Sequence, residues 1–281
     1  MLKILASSLL GLMFSMGLVQ GRESPPAPTV TAPPADPAAE KARDDLLVRW
    51  EKRTAEIETI YAQFSREDVS RLFGTKRTYE AEYSAKGMGR AILTLKEKDE
   101  QGGLKMDEQI LLAAKDLYQF KWATHQAVVF PRPDEKNPDA QKAGLFNLSL
   151  YLSLYFEGFV KPDSPWLFLK VRAEDLKAKF RVELLPDRDG GYHLRLVPRT
   201  ERGRGEFSLI HVLLDKETLL PRAVKIVASD GKETKLVRYS KITVNPVLSD
   251  DLFRPGSLEG WKVIGTGAPV GLPAAAGDPK R

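Results

Sequence analysis

Cysteine is absent from all 281 residues. That excludes disulfides, thiolate chemistry and cysteine-ligated zinc, and it removes the lipobox residue that an acylated lipoprotein needs. Histidine is scarce: His125, His193 and His211 are the only three. Each falls in a stretch that alternates like a strand, with no His-x-x-x-His interval and no carboxylate at a ligand spacing, so they read as strand-face residues and not as a metal set. A Gly-x-Ser-x-Gly elbow is missing. Gly265-x-Gly267 lies in the tail, not between a strand and a helix, and cannot cradle a phosphate. The acidic pairs Asp44-Asp45 and Asp250-Asp251 suit a helix start and a loop better than a general acid and base. With no nucleophile, base or metal set, the chain is expected not to be an enzyme and to need no cofactor.

Blocks of one charge sign are lacking as well. The formal net charge is +5, but the signs are interspersed, as in KEKDE at 96–100 and RAEDLKAK at 172–179. Such mixing makes a solvated surface and no nucleic-acid stripe. Arg199, Arg202 and Arg204 with Lys225 offer the alternative of a local basic patch facing acidic lipid or a partner.

Long apolar runs occur in two places only. Residues 1–21, with Lys3 ahead of an apolar stretch from Ile4 to Val19 and a small residue at Gly21, read as a signal peptide. Cleavage near Gly21 gives a periplasmic or secreted protein; an uncleaved anchor is the alternative. Residues 22–40 form a Pro/Ala-rich linker, an extended tether, and residues 265–281 a flexible Gly/Pro tail. The second run, from Ala143 to Phe156, carries no charge until Glu157. It falls short of the ~20 apolar residues of a membrane span, so either the protein's own sheet or a ligand must cover it. Leu148, Leu150, Leu152 and Leu154 alternate like a strand, yet Leu145, Leu148, Leu152, Tyr155, Phe156 and Phe159 share a helical face, and periodicity leaves helix and strand both open.

Between these landmarks the pattern predicts a long amphipathic helix over 38–64, with Leu46, Leu47, Trp50, Ile57, Ile60 and Phe64 at helical spacing. Alternating strands follow at 77–84, 89–96, 108–114, 117–123 and 125–130. After the apolar insert come a short helix at 173–180 and strands at 180–185, 192–198, 206–214, 221–229 and 232–244, the last pair joined by a tight Asp230-Gly231 turn. The fold class is α+β: a curved antiparallel sheet or unclosed β-barrel of about 10–11 strands, covered by the N-terminal helix and a short apolar helical insert. Tyr118, Phe120 and Trp122 share one strand face. They are either ordinary core against the long helix or the lining of a cavity that admits an acyl chain.

Four pieces carry a resemblance: Ile60-Tyr61-Ala62-Gln63-Phe64; Leu117-Tyr118-Gln119-Phe120; Pro165-Trp166-Leu167-Phe168 leading to Leu176 and Phe180; and a closing run through Leu219-Pro221, Ser229-Asp230-Gly231, Tyr239, Ile242, Asn245, Leu248, Asp251 and Phe253-Arg254-Pro255. In that order, over residues 41–264, they resemble the outer-membrane lipoprotein carriers of Gram-negative periplasms, the Lol-type carriers, and uncharacterised secreted planctomycete proteins of the same fold. The resemblance implies an unclosed barrel whose concave apolar face holds the acyl chain of a lipid or lipoprotein. It implies inward faces bearing Tyr79, Leu93, Tyr118, Phe120, Trp122, Leu194, Phe207 and Leu209, and a lid over 145–168 that contributes Leu152, Phe156, Trp166 and Phe168. Those carriers hold the lid with an arginine of an Arg-Pro pair; this chain has Gly89-Arg90-Ala91, which makes Arg90 the counterpart. The function so implied is a monomeric periplasmic carrier of an acyl chain, with membrane-associated partners and no nucleic acid. The alternative is a secreted, non-catalytic scaffold or interaction domain whose concavity is filled by its own insert.

Overall fold

The computed structural model describes residues 37–87, 89–113, 116–131, 171–188 and 190–265. They belong to one compact unit, Asp36–Arg281. The helix α1 (Pro37–Ala55) opens it, with Glu40 in the first turn and Lys52 and Arg53 in the last, each placed to suit the helix dipole. Leu46, Leu47 and Trp50 form its fully buried stripe.

The chain then enters β1 (Thr59–Ser70), β2 (Thr75–Lys86), β3 (Arg90–Lys98), β4 (Leu104–Leu112), β5 (Asp116–Lys121) and β6 (Gln126–Pro131). After the short helix α2 (Ala173–Lys179) come β7 (Phe180–Arg188), β8 (Gly191–Pro198), the turn-like α3 (Glu201–Glu206), β9 (Phe207–Asp215), β10 (Pro221–Ala228) and β11 (Glu233–Val244). A 3-10 turn at Asp250–Phe253 leads to β12 (Lys262–Gly265). All twelve strands lie in one sheet, ordered β12-β6-β5-β4-β3-β2-β1-β11-β10-β9-β8-β7. The two outermost strands do not meet, so the barrel is unclosed, and the fold is α+β with one large sheet and few helices. Every pairing is antiparallel except β12 on β6, which is parallel. Sequence reading had missed β12 and α3.

The long helix stops nine residues short of its predicted end, and residues up to Phe64 join β1 instead. The reason lies in Asn245, held at φ 55. Its side-chain oxygen accepts the N–H of Glu58 at 2.8 Å and of Thr59 at 3.3 Å, its amide donates to the carbonyl of Glu56 at 3.1 Å, and its own N–H reaches the Thr59 carbonyl at 2.7 Å. These are backbone groups that another helical turn would have used. Beyond that point Ile60, Ala62 and Phe64 are buried alternately, as a strand requires.

α1 packs against β7 and α2. Thr54 and Glu51 fix that junction. The Thr54 hydroxyl accepts the Val171 N–H at 3.2 Å, and the Glu51 carboxylate accepts the Ala173 N–H at 3.1 Å, which caps the first turn of α2. The helical layer is thus seated toward the β7 end of the sheet. One main core joins its buried stripe to the apolar faces of β1–β3 and β7–β11.

Candidate functional site

Strand register decides which side chains share a face, because directly paired residues point to the same side of the sheet. Tyr83 pairs with Leu93, Leu93 with Ile110, Ile110 with Gln119, and Gln119 with Val128. This row continues the main core and defines the inner face. The next row is Ser84, Ile92, Leu111, Tyr118 and Val129, and it points the other way.

The inner face of β1–β3 is apolar at its centre and charged at one rim. Phe64, Tyr79, Ala81, Leu93 and Leu95 are all buried in the main core, and the Phe64 and Tyr239 rings lie 5.5 Å apart. Burial pushes the Tyr79 phenol up to about 12 and drives Tyr83 and Tyr239 upward too. At the rim, Arg66 donates to Asp68 at 2.7 Å, and Arg77 grips Glu97 with two bonds of 2.6 and 2.7 Å. Both guanidiniums lie over the Tyr79 ring, at 5.3 and 5.2 Å. The Glu97 carboxyl is held below its usual range by the Arg77 hydrogen bonds. Each arginine therefore has a carboxylate and an aromatic face to satisfy it, and the cluster works as a brace across β1, β2 and β3.

The residues implied by the resemblance do not all meet there. Tyr79, Leu93, Leu194 and Phe207 belong to the main core, Leu194 wholly buried and Phe207 stacked on Phe180 at 5.9 Å. Leu209 does not join them. A bulge in β9 sets Phe207 opposite Ala228 but Leu209 opposite Val227, so Ser208 is an extra residue and the alternation inverts. Ile210, Val212 and Leu214 face the core, and Leu209 is half-buried on the outer face.

Tyr118, Phe120 and Trp122 are a second correction: they lie on the outer face, in a separate cluster with Leu111, Ala127, Val129 and Phe253. The segment after β11 roofs them. Trp261 packs edge-on to Phe120 at 5.1 Å and to Trp122 at 5.0 Å, and His125 stacks on Trp261 at 4.6 Å. Here the aromatics are core, not against the long helix but against the C-terminal strap. Alternation separates Tyr118 and Phe120 from Gln119 and Lys121, but sequence alone could not say which side of the sheet the aromatic row takes, because its cover comes from residues 248–261.

Arg90 is the third correction. It pairs with Lys86 on the outer face, and both cations reach the same Asp250 oxygen at 2.7 Å. It ties down the strap, on the face opposite the main core. Leu152, Phe156, Trp166 and Phe168, with the lid expected over 145–168, lie outside the described residues.

One pairing escaped sequence reading altogether. The β8–β9 hairpin brings His193 Nε2 to 2.9 Å from His211 Nδ1 on the outer face, eighteen residues apart in the chain. Burial, the neighbouring His193 and the cations Lys225 and Arg195 hold the His211 imidazole below its usual pKa. Among the described residues no group of three or more His, Asp or Glu could hold a metal ion.

A groove of about 600 Å³ lies between α1 and β7–β8, lined by Ala42, Asp45, Val48, Arg49, Leu184 and Tyr192. Arg49 lies over the Tyr192 ring at 5.4 Å.

No family profile and no curated protein matches the chain. Solved structures do. An uncharacterised conserved protein from Thermus thermophilus is 13% identical, with a TM-score of 0.44 over 80% of this chain and 99% of that one. The MucA/MucB complex of Pseudomonas aeruginosa gives 14% and 0.40 over 77% of this chain and 62% of that one. A LolA superfamily protein from Nitrosomonas europaea gives 11% and 0.34, over 76% and 97%.

Proposed function

We propose that the protein binds an acyl chain, of a lipid or a lipoprotein, on the inner face of its unclosed sheet, and carries it in the periplasm or outside the cell. The observation that supports this most is the inner face of β1–β3: a broad apolar surface with buried phenols, on the part of the sheet away from the seat of α1 and α2. An alkyl chain gains ~0.8 kcal/mol per buried methylene, so such a surface retains it without a polar anchor. The resemblance of residues 41–264 to lipoprotein carriers points the same way. The role is binding, with no catalytic step. Among the described residues no helix is long and apolar enough to cross a membrane. The domain proper is taken as 41–264, following a leader of 1–21 and a linker of 22–40 and preceding the tail 265–281.

A second reading draws on a specific observation. Tyr79, Leu93 and Leu95 are 4%, 4% and 3% exposed, buried against the chain's own atoms. A scaffold whose concavity is self-filled has this property, and a carrier must part that cover to load.

Organic extraction of the protein from its native envelope, with mass spectrometry of the extract, separates the two. The carrier yields stoichiometric lipid and takes up a fluorescent fatty acid; Leu93→Trp blocks uptake while circular dichroism stays unchanged. A protein that gives no lipid and no uptake is the scaffold.

A further inference from the structure

The β8–β9 hairpin carries on its outer face a contact that acyl-chain binding does not use. His193 Nε2 and His211 Nδ1 stand 2.9 Å apart, with the ring centroids at 5.0 Å. A contact of that length has room for one hydrogen, donated by one nitrogen and accepted by the other. Two neutral imidazoles fit it, and so does a pair with one extra proton. Two imidazolium rings do not, because both facing nitrogens would then carry hydrogen and both rings a positive charge.

Strand register fixes what surrounds the pair. His193 lies opposite Leu185 of β7 and Leu213 of β9, apolar neighbours that favour a neutral ring. His211 lies opposite Arg195 of β8 and Lys225 of β10. Like charges in directly opposed positions weaken a sheet, so a second proton on the pair meets two cations at close range. The acids of this face are engaged elsewhere. Glu183 of β7 takes Arg195 at 2.9 Å and Arg181 at 3.1 Å. Asp215, at the end of β9, accepts the Glu217 and Thr218 N–H groups at 3.1 and 2.9 Å and has Arg222 of β10 beside it. Arg238 of β11, opposite Ala223, adds one more cation at the next strand.

The backs of the same strands bear the helical layer. Leu194, Leu196, Ile210 and Val212 face the main core. Arg43 of α1 reaches the Val182 carbonyl of β7 at 3.4 Å, and Arg49 covers the Tyr192 ring of β8. Whatever drives β8 and β9 apart on the outside therefore loosens the seat of α1. We infer that the His193–His211 pair is a proton-operated catch, closed at neutral pH and parted in mild acid, which ties the firmness of the β7–β9 seat to acidity. This goes beyond the carrier reading, and its test needs no lipid.

The direction follows from linkage. The His211 imidazole is held below its usual 6.5 in the folded protein, so the unfolded chain takes up protons first as pH falls. The contribution of the pair is whole above that usual value and is lost through the folded one.

His193→Gln with His211→Asn places a neutral amide near each contacting nitrogen and leaves a pair that cannot titrate. Between about pH 7.5 and 5.5 the folding constant of the parent should fall roughly tenfold more than that of this variant. Protection of the β8, β9 and α1 amides should fall with it in the parent alone. His211→Lys, which fixes a charge, should show that lowered protection at neutral pH. In the parent, nuclear magnetic resonance should find the two rings titrating in steps about one pH unit or more apart, a reading that requires no variant to fold. The inference is overturned if parent and double variant share one pH profile, if both rings titrate together near their usual value, or if His211→Lys is protected like the parent. His125 is present in every one of these proteins, so its titration cancels in the comparison.

Discussion

The inner face of β1–β3 and the outer face of β4–β6 are made of the same materials, aromatic and branched apolar side chains at every second position, yet they end differently. The outer face is closed by a strap of the chain that follows β11, where Leu248, Phe253, Leu258 and Trp261 pack onto Tyr118, Phe120 and Trp122. That closure is tied on its margin by Asp250 to Lys86 and Arg90, and at its end by the parallel β12. The inner face keeps a braced charged rim. Aromatic content and burial therefore say little about ligand binding, since both faces are equally buried; what separates them is that the cover of the outer face is ion-paired to the sheet, whereas the charges bordering the inner face are paired among themselves.

The sharpest way to break the comparison is Phe253→Ala. Phe253 is 3% exposed in the outer cluster, and truncation of a buried Phe costs about 3–5 kcal/mol. Denaturant unfolding should show that loss, or hydrogen exchange should show the strap and β6 opening locally, while fatty-acid uptake stays at the parent level. Lost uptake would place the ligand under the strap.

Asn245 serves both faces, since it ends β11, starts the strap and pins the α1–β1 junction. Asn245→Ala removes three side-chain hydrogen bonds and puts a β-carbon without a polar group at φ 55. A loss of about 2–3 kcal/mol is expected in denaturant titrations. Unlike the Phe253 variant, it should loosen inner and outer layers together, as exchange rates in β1 and β12 would report.

The smallest effect is electrostatic and confined to the strap. Hydrogen bonds from Lys86 and Arg90 hold the Asp250 carboxyl below its usual pKa of 3.8. A depressed carboxylate contributes stability above its unfolded value and loses it as pH falls through the folded one. Acrylamide quenching of Trp261 should accordingly rise as pH drops below about 4, and Asp250→Asn should show the raised quenching at neutral pH. Equal quenching at all pH values would mean that the strap is held by packing alone.

Most of the strands were legible because their alternation is a local property. α2 was found where Ala173, Leu176 and Phe180 had marked it, and the β10–β11 turn falls at Gly231, with φ +69. The end of α1 was not legible: no Gly or Pro lies between Ala55 and Phe64, and the groups that stop it belong to Asn245, 190 residues away. Face assignment failed at two kinds of place. In β9 one inserted residue, Ser208, inverts the parity. In β5 Tyr118 and Phe120 alternate with Gln119 and Lys121, but alternation does not say which side of the sheet will be covered, and here the C-terminal strap covers the outer one.

What the sequence determined by itself is the class of fold: no thiol, charges of both signs interspersed, and period-two apolar patterning that yields an antiparallel sheet with one long helix. Only the tertiary structure decided which aromatic rows belong together, that Arg90 clasps Asp250, and that Leu72 and Phe73 stand clear of every core. Periodicity is fixed by neighbours along the chain, whereas a face acquires its partner through register, bulges and contacts between residues more than a hundred positions apart.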